Sequence, residues 1–187
     1  MKKSIIILLS VFNTLLSYSQ IDKNSNGGIG TGGGLKMYYG DFGIFYNYTL
    51  SPFNSRLELN VGTGIRQSIV FGVGSRIRIY DNSKKLESYV SINYCYQLKG
   101  NLRYENNNSV DYYTTGDLQY LHYYLTGRLL LDKFAALQLN CGYSQNISGS
   151  NIIHTSGPNE NYNLAKKTLG SGLLIGVDLI VFLKLRK

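Results

Sequence analysis

The segment His154-Thr155-Ser156-Gly157-Pro158-Asn159-Glu160 places an imidazole, a hydroxyl and a carboxylate close together in the chain. A serine hydroxyl attacks an ester when a neighbouring imidazole takes its proton, and an acid that orients the imidazole completes the set. His154 and Ser156 are therefore the candidate base and nucleophile of an acyl-ester hydrolase. The segment also lies in a polar stretch where His, Ser and Glu occur freely, and the reading preferred here assigns the chain no catalytic residue. Other candidates are weaker. Gly28, Gly30 and Gly33 have the spacing of a dinucleotide-binding fingerprint, but no strand precedes them and no helical pattern follows. Cys95 and Cys141 are the only cysteines, and two Cys with two His at these spacings form no metal site. No cofactor is implied.

Charge narrows the partners. The chain carries 19 basic and 11 acidic residues, net +8. Setting aside Lys2 and Lys3 leaves 17 basic residues against 11 acidic, a net of +6. No Lys/Arg cluster tracks a phosphate backbone, so nucleic acid is excluded as the expected partner. Outer-membrane lipid and lipopolysaccharide, with their anionic head groups, suit this balance better, alongside an extracellular protein or surface ligand. Lys2 and Lys3 precede an apolar run from Ile5 to Leu16, and Ser17 and Ser19 supply the small residues of a cleavage site. Residues 1–19 read as a signal peptide and residues 20–187 as one domain. No later apolar run approaches the ~20 residues of a transmembrane helix.

The elements that must position these groups are strands. Leu57, Leu59, Val61, Thr63 and Ile65 alternate with Glu58, Asn60, Gly62, Gly64 and Arg66, which is the period-two signature. The same alternation recurs from Ile69 to Tyr80, Leu86 to Leu98, Leu121 to Leu131, Leu137 to Ser144 and Gly172 to Val181. Phe42 to Leu50 adds a strand, and a Gly-rich stretch from Ile29 to Tyr38 adds a first, for eight in all. Short turns at 51–54, 81–85 and 132–133 fall on one side of the count. Two long polar connections, Lys99 to Gly116 and Ile147 to Lys167, fall on the other. An even strand number with short turns at one end and long loops at the other is the outer-membrane barrel pattern.

The alternation leaves open which face is inside, since a soluble secreted ligand-binding barrel would turn its apolar set inward. An eight-stranded interior is only wide enough to be filled by side chains, and five large apolar residues per strand would overfill it. The polar set, mixing Gly with charged residues, packs such a space through ion pairs. A charge facing mid-bilayer lipid costs roughly 2–4 kcal/mol. Arg56, Glu58, Arg66, Arg76, Arg78, Glu87, Arg128 and Asp178 are therefore expected in the lumen as an ionic network. His122 is expected beside them as a hydrogen-bonded interior histidine. Cys95 then points inward and Cys141 outward on strands that are not neighbours, which forbids a disulfide. Tyr38, Tyr39, Tyr46, Tyr48, Tyr120 and Tyr123 near strand ends are expected to form interfacial girdles. Tyr104, Tyr112, Tyr113 and Tyr162 in the long connections are candidate contact anchors, because loops on a rigid scaffold carry recognition.

On these residues the chain resembles the small eight-stranded outer-membrane barrel proteins of Gram-negative bacteria. The resemblance covers the leader, the Gly-rich first strand, the alternation and the loop asymmetry. It implies an all-β, eight-stranded antiparallel up-and-down transmembrane barrel with a structural or surface-interaction role. Such barrels usually end on an aromatic residue, whereas this chain runs on through Phe182-Leu183-Lys184-Leu185-Arg186-Lys187. The His-x-Ser element is similar to that of the lipid A deacylase barrels, which would make His154 and Ser156 a base and a nucleophile. Gly157 stands where that family has Asn.

Overall fold

The computed structural model describes residues 27–50, 57–82, 85–106, 109–132, 134–149 and 151–182. The expected leader, Arg56 and the tail from Leu183 lie outside these residues. In chain order the strands are β1 (Gly27–Leu35), β2 (Phe42–Leu50), β3 (Leu57–Arg66), β4 (Ser68–Asn82) and β5 (Leu86–Gln97). There follow β6 (Gly100–Asn106), β7 (Ser109–Thr115), β8 (Leu118–Leu130), β9 (Ala135–Asn146) and β10 (Ile152–Ser156). Helix α1 (Tyr162–Leu169) and β11 (Gly172–Phe182) complete the described chain.

Eight strands close into an antiparallel barrel in the order β1-β11-β9-β8-β5-β4-β3-β2, and β10-β7-β6 form a separate three-stranded sheet. Closure is made by β1 against β11, with Gly28 opposite Phe182 and Leu35 opposite Ile175. The period-two pattern places its polar set inside. Along β5, Glu87, Ser91, Asn93 and Gln97 are buried, whereas Leu86, Val90 and Ile92 are exposed. Glu58, Arg76, Arg128 and Asp178 are buried in the lumen, and Ile44, Phe71, Leu125, Leu139 and Ile175 stand on the outer wall. The apolar-inside arrangement of a soluble barrel is therefore reversed. Cys95 is buried, Cys141 is exposed, and both are free thiols.

Three expectations are corrected. Strand β1 ends at Leu35, and residues 36–41 turn back into the barrel mouth. Met37, Tyr38 and Tyr39 are buried there, and Tyr120 faces inward from β8, so these tyrosines belong to the lumen and not to a girdle. Inward glycines on the facing strands leave the room: a Cβ at Gly62 would stand 2.9 Å from the Tyr39 Cβ, and one at Gly72 would collide with Tyr38. Tyr80, which strict alternation would place on the inward face of Arg76 and Arg78, is exposed because the β4–β5 register shifts between Arg78 and Tyr80. A bulge inserts one residue and throws the following side chain to the other face.

The third correction concerns the two long connections, which are folded and not open loops. Lys99 to Gly116 contains the β6–β7 hairpin, with Leu102 opposite Tyr113. Residues 147–167 supply β10, which pairs with β7, and most of α1. Together they cap one end of the barrel. Leu102 and Tyr113 from the sheet, Ala165 and Leu169 from α1, and Val70, Leu118 and Leu174 from the wall share one apolar cluster.

Candidate functional site

Two groups of polar side chains are assembled by this fold, one in the lumen and one in the cap. The lumen group lies near the short-turn end. Arg76 Nε donates to Glu58 Oε2 at 2.7 Å, and Arg128 Nη2 donates to the same oxygen at 2.9 Å. Arg128 Nη1 also reaches Glu87 Oε2 at 3.2 Å. Arg78 bridges Glu87 at 3.0 Å and Asp81 at 2.9 Å. The Tyr89 hydroxyl lies 2.8 Å from Glu87 Oε2 and 3.0 Å from Glu58 Oε1, so its single proton is shared between the two carboxylates, while the Arg128 guanidinium lies 4.6 Å from its ring centre. Gln138 Oε1 accepts from both Arg76 and Arg128. Isolated, each of these charges would be costly to bury; paired and hydrogen-bonded, they fill the interior.

The expected ionic network is thus several clusters. Arg66 stands apart at the capped end, donating to Asp41 Oδ1 at 2.9 Å and to the Met37 carbonyl at 2.7 Å. Those bonds hold the inward turn in place. Asp178 has no ion-pair partner among the described residues and accepts hydrogen bonds from Tyr39, from Gln138 at 2.9 Å and from Asn140 at 2.7 Å. His122 is interior as expected, but neither ring nitrogen meets a hydrogen-bond partner among the described residues. Sequence reading overlooked Tyr89 and Asp41. Tyr89 occupies an inward position between Glu87 and Ser91, so the alternation itself could have found it.

The cap is organised on Asp111, an inward residue of β7 whose side chain is fully buried. Its Oδ1 accepts the Asn159 N–H at 2.7 Å, and its Oδ2 accepts the Asn161 N–H and Nδ2, both at 2.8 Å. Asn161 is the residue preceding α1. One carboxylate therefore ties the sheet to the start of the helix. The other end of α1 is fixed to the barrel rim, where the Leu169 carbonyl accepts from Tyr120 and Asn146, each at 2.9 Å. Lys36 closes the same rim on the Gly170 carbonyl. Burial raises the Asp111 pKa, but the donors from Asn161 and Asn159 outweigh it and hold the carboxyl below its ordinary value.

His154 lies against this hub, with Nε2 3.6 Å from Asp111 Oδ1 and its ring 5.3 Å from the Tyr113 ring. The β10–β7 register shifts between His154 and Ser156, so the two do not share a regular strand face. Among the described residues no hydrogen bond links Ser156 to His154, and Ser156 is exposed. Gly157 has φ 102, and a Cβ there would lie 2.9 Å from the Asp111 Cα. The turn needs glycine at that point for its conformation and for its closeness to β7.

The four tyrosines do not form one surface. Tyr113 is 1% exposed and donates to Asn159 Oδ1 at 3.2 Å, so it is a core residue of the cap. Tyr104 packs on it edge-on at 6.0 Å and is partly buried. Tyr162 is 37% exposed and approaches Tyr113 on that inner side, at 6.4 Å. Tyr112 is 44% exposed on the opposite face of the sheet, in register with Arg103. Ile153, also exposed, lies on that face from β10. The cap thus offers a mixed outer face of Tyr112, Arg103 and Ile153 over an apolar underside.

The architecture these observations define is a closed, eight-stranded antiparallel barrel with a polar interior and an apolar wall. No protein-family model matches the chain, and no curated protein matches it. Among solved structures it is similar to a major outer membrane protein from Thermus thermophilus, at 13% identity and a TM-score of 0.42. That match covers 82% of this chain and 99% of the other.

Proposed function

We propose that this chain is an outer-membrane barrel protein of a Gram-negative bacterium, exported by a leader ending at Ser19. It acts without enzymatic chemistry, supporting the envelope or presenting its cap to a partner. The observation that carries this reading is the inversion of the barrel: charge is buried in the lumen while large aliphatic and aromatic side chains cover the wall. In water a continuous apolar band of that extent is an aggregation surface. In a bilayer it is the solvated face. A shallow apolar groove of about 580 Å³ on that wall, bordered by Ile44, Val61, Phe71 and Val73, suits hydrocarbon chains. Lipid and lipopolysaccharide are then its surroundings, and the outer face of the cap sheet around Tyr112 is the surface available to an extracellular protein or ligand.

Cell fractionation with gel mobility before and after boiling tests this directly. Recovery in the outer membrane, with faster migration of the unboiled protein, is the expected outcome, because closed barrels resist detergent kinetically. Recovery as soluble periplasmic protein would overturn it. A lipid A hydrolase is the competing reading, favoured by the approach of His154 to Asp111. It requires Ser156→Ala to change the lipid A acyl profile of expressing cells. No change is expected here, since Ser156 and His154 lack the hydrogen bond that activates a serine.

A further inference from the structure

One line of lumen residues is left out of the clusters described above. Asn47 on β2 is opposite Asn60 on β3, which is opposite Gly74 on β4. Gly74 is opposite Asn93 on β5, Asn93 opposite His122 on β8, and His122 opposite Ser144 on β9. The line ends at Gly172 on β11. Asn47, Asn60, Asn93, His122 and Ser144 are all buried. The carboxamides of all three asparagines, both nitrogens of His122 and the Ser144 hydroxyl meet no hydrogen-bond partner among the described residues. Outside the row, the Asn93 carboxamide interacts with the Tyr124 hydroxyl of the next row.

Two features make this row continuous. Opposed residues on neighbouring strands stand about 5 Å apart, so same-face side chains along a row are neighbours. Gly74 would break the line, but a Cβ there would lie 2.5 Å from the Asn93 Cγ. The Asn93 carboxamide therefore lies over the glycine and leans toward Asn60. At the far end a Cβ on Gly172 would lie 3.3 Å from Lys36 Nζ.

The row also crosses the wall from end to end. Starting at Gly28, which faces Phe182 across the closing seam, one circuit returns to β11 at Gly172, ten residues along that strand. Strand β11 is 11 residues long. The row climbs because strands in a closed barrel tilt and their register is staggered. Asn47 thus lies toward the short-turn end and Ser144 toward the cap.

Buried amides and imidazoles without protein partners are satisfied by internal water, each molecule making about three hydrogen bonds. We propose that this row holds a spiral file of water, and that the barrel conducts water along it while excluding ions. No member of the row is charged. Lys36 stands at its capped end and disfavours cations there, whereas Arg66, over Tyr120 in the adjoining row, is paired with Asp41. Toward the other end Glu58 and Glu87 are compensated by Arg76, Arg78 and Arg128, so an ion entering the row finds only neutral side chains to replace its hydration shell. Hydrogen-bonding side chains at close intervals let a water molecule exchange partners as it moves.

This inference rests on membrane insertion, and the experiment separates the two. Purified protein is reconstituted into phospholipid vesicles, insertion is verified by unboiled gel mobility, and osmotic shrinkage is followed by stopped-flow light scattering. Water permeability several-fold above protein-free vesicles is expected, with no potassium or chloride conductance in planar bilayers. His122→Leu should return permeability to the protein-free level with the gel shift retained, and His122→Asn should restore it. Asn60→Leu makes the same test from the other half of the row if His122→Leu does not fold. Inserted protein with no added permeability would overturn the water file, as would permeability untouched by both leucine variants or accompanied by ion conductance. Protein that fails to insert would overturn the membrane reading as well.

Discussion

Arg128 carries more of the lumen than any other side chain, since it contacts Glu58, Glu87, Gln138 and Tyr89 at once. Removing one partner of a buried ion pair costs roughly 3–5 kcal/mol, because the other charge is left without compensation. Arg128→Met should therefore destabilise the barrel by about that much, read as a lowered urea midpoint of the unboiled gel band. Arg103→Met, which breaks an exposed pair with Glu105, should move it by less than about 1 kcal/mol. Equal effects at the two sites would mean that the lumen is solvated and its ion pairs screened. The inward set was legible in the sequence because alternation sorts residues by face. Which inward residue meets which was not. That depends on the stagger between strands, which no single strand encodes, and it is why Arg66 and Asp178 were grouped with Glu58 although each has other partners.

At the level of elements, the barrel strands were plain and the cap was hidden. In β7, Val110, Tyr112 and Thr114 alternate with Asp111, Tyr113 and Thr115, so both faces mix polar and aromatic residues and no apolar period appears. Helix α1 buries only Ala165 and Leu169, too few to mark a helical stripe within an Asn-rich segment. What holds these elements together is the Asp111 carboxylate, and that makes the cap sensitive to acid. Its pKa is depressed in the folded cap, so its stabilisation is fully present above the unfolded value of about 3.9 and is lost as pH falls through the lower folded value. Hydrogen exchange at the Asn159 and Asn161 amides should accelerate in that acid range, after correction for intrinsic rates, while barrel amides stay protected. Asp111→Ala, which removes both acceptor oxygens, should show fast exchange at both amides already at neutral pH, and its acid step should disappear. Protection unchanged by the substitution would place the hub elsewhere.

For the whole molecule, the decisive question is which solvent faces the wall. The capped end, the short turns and the polar interior have the same covalent form in either case; only the cost of a charge on the outer face differs between water and lipid. Val177, midway along β11 and 48% exposed, is a clean position for the comparison. An exposed substitution in water usually changes stability by no more than about 0.5 kcal/mol. At the bilayer midplane, arginine costs about 2–4 kcal/mol. Val177→Arg in phospholipid vesicles should therefore lower the urea midpoint by an amount in the second range, while Thr114→Arg on the outer face of the cap should leave it within the first. Val177 pairs with Gly33 on one side and Leu139 on the other, and its side chain points away from the ion-paired lumen. A large loss at Val177 cannot then come from disturbing the interior. It would measure the transfer of the guanidinium into hydrocarbon. A small one would return the wall to water and require another partner to cover the exposed Ile, Leu and Val side chains.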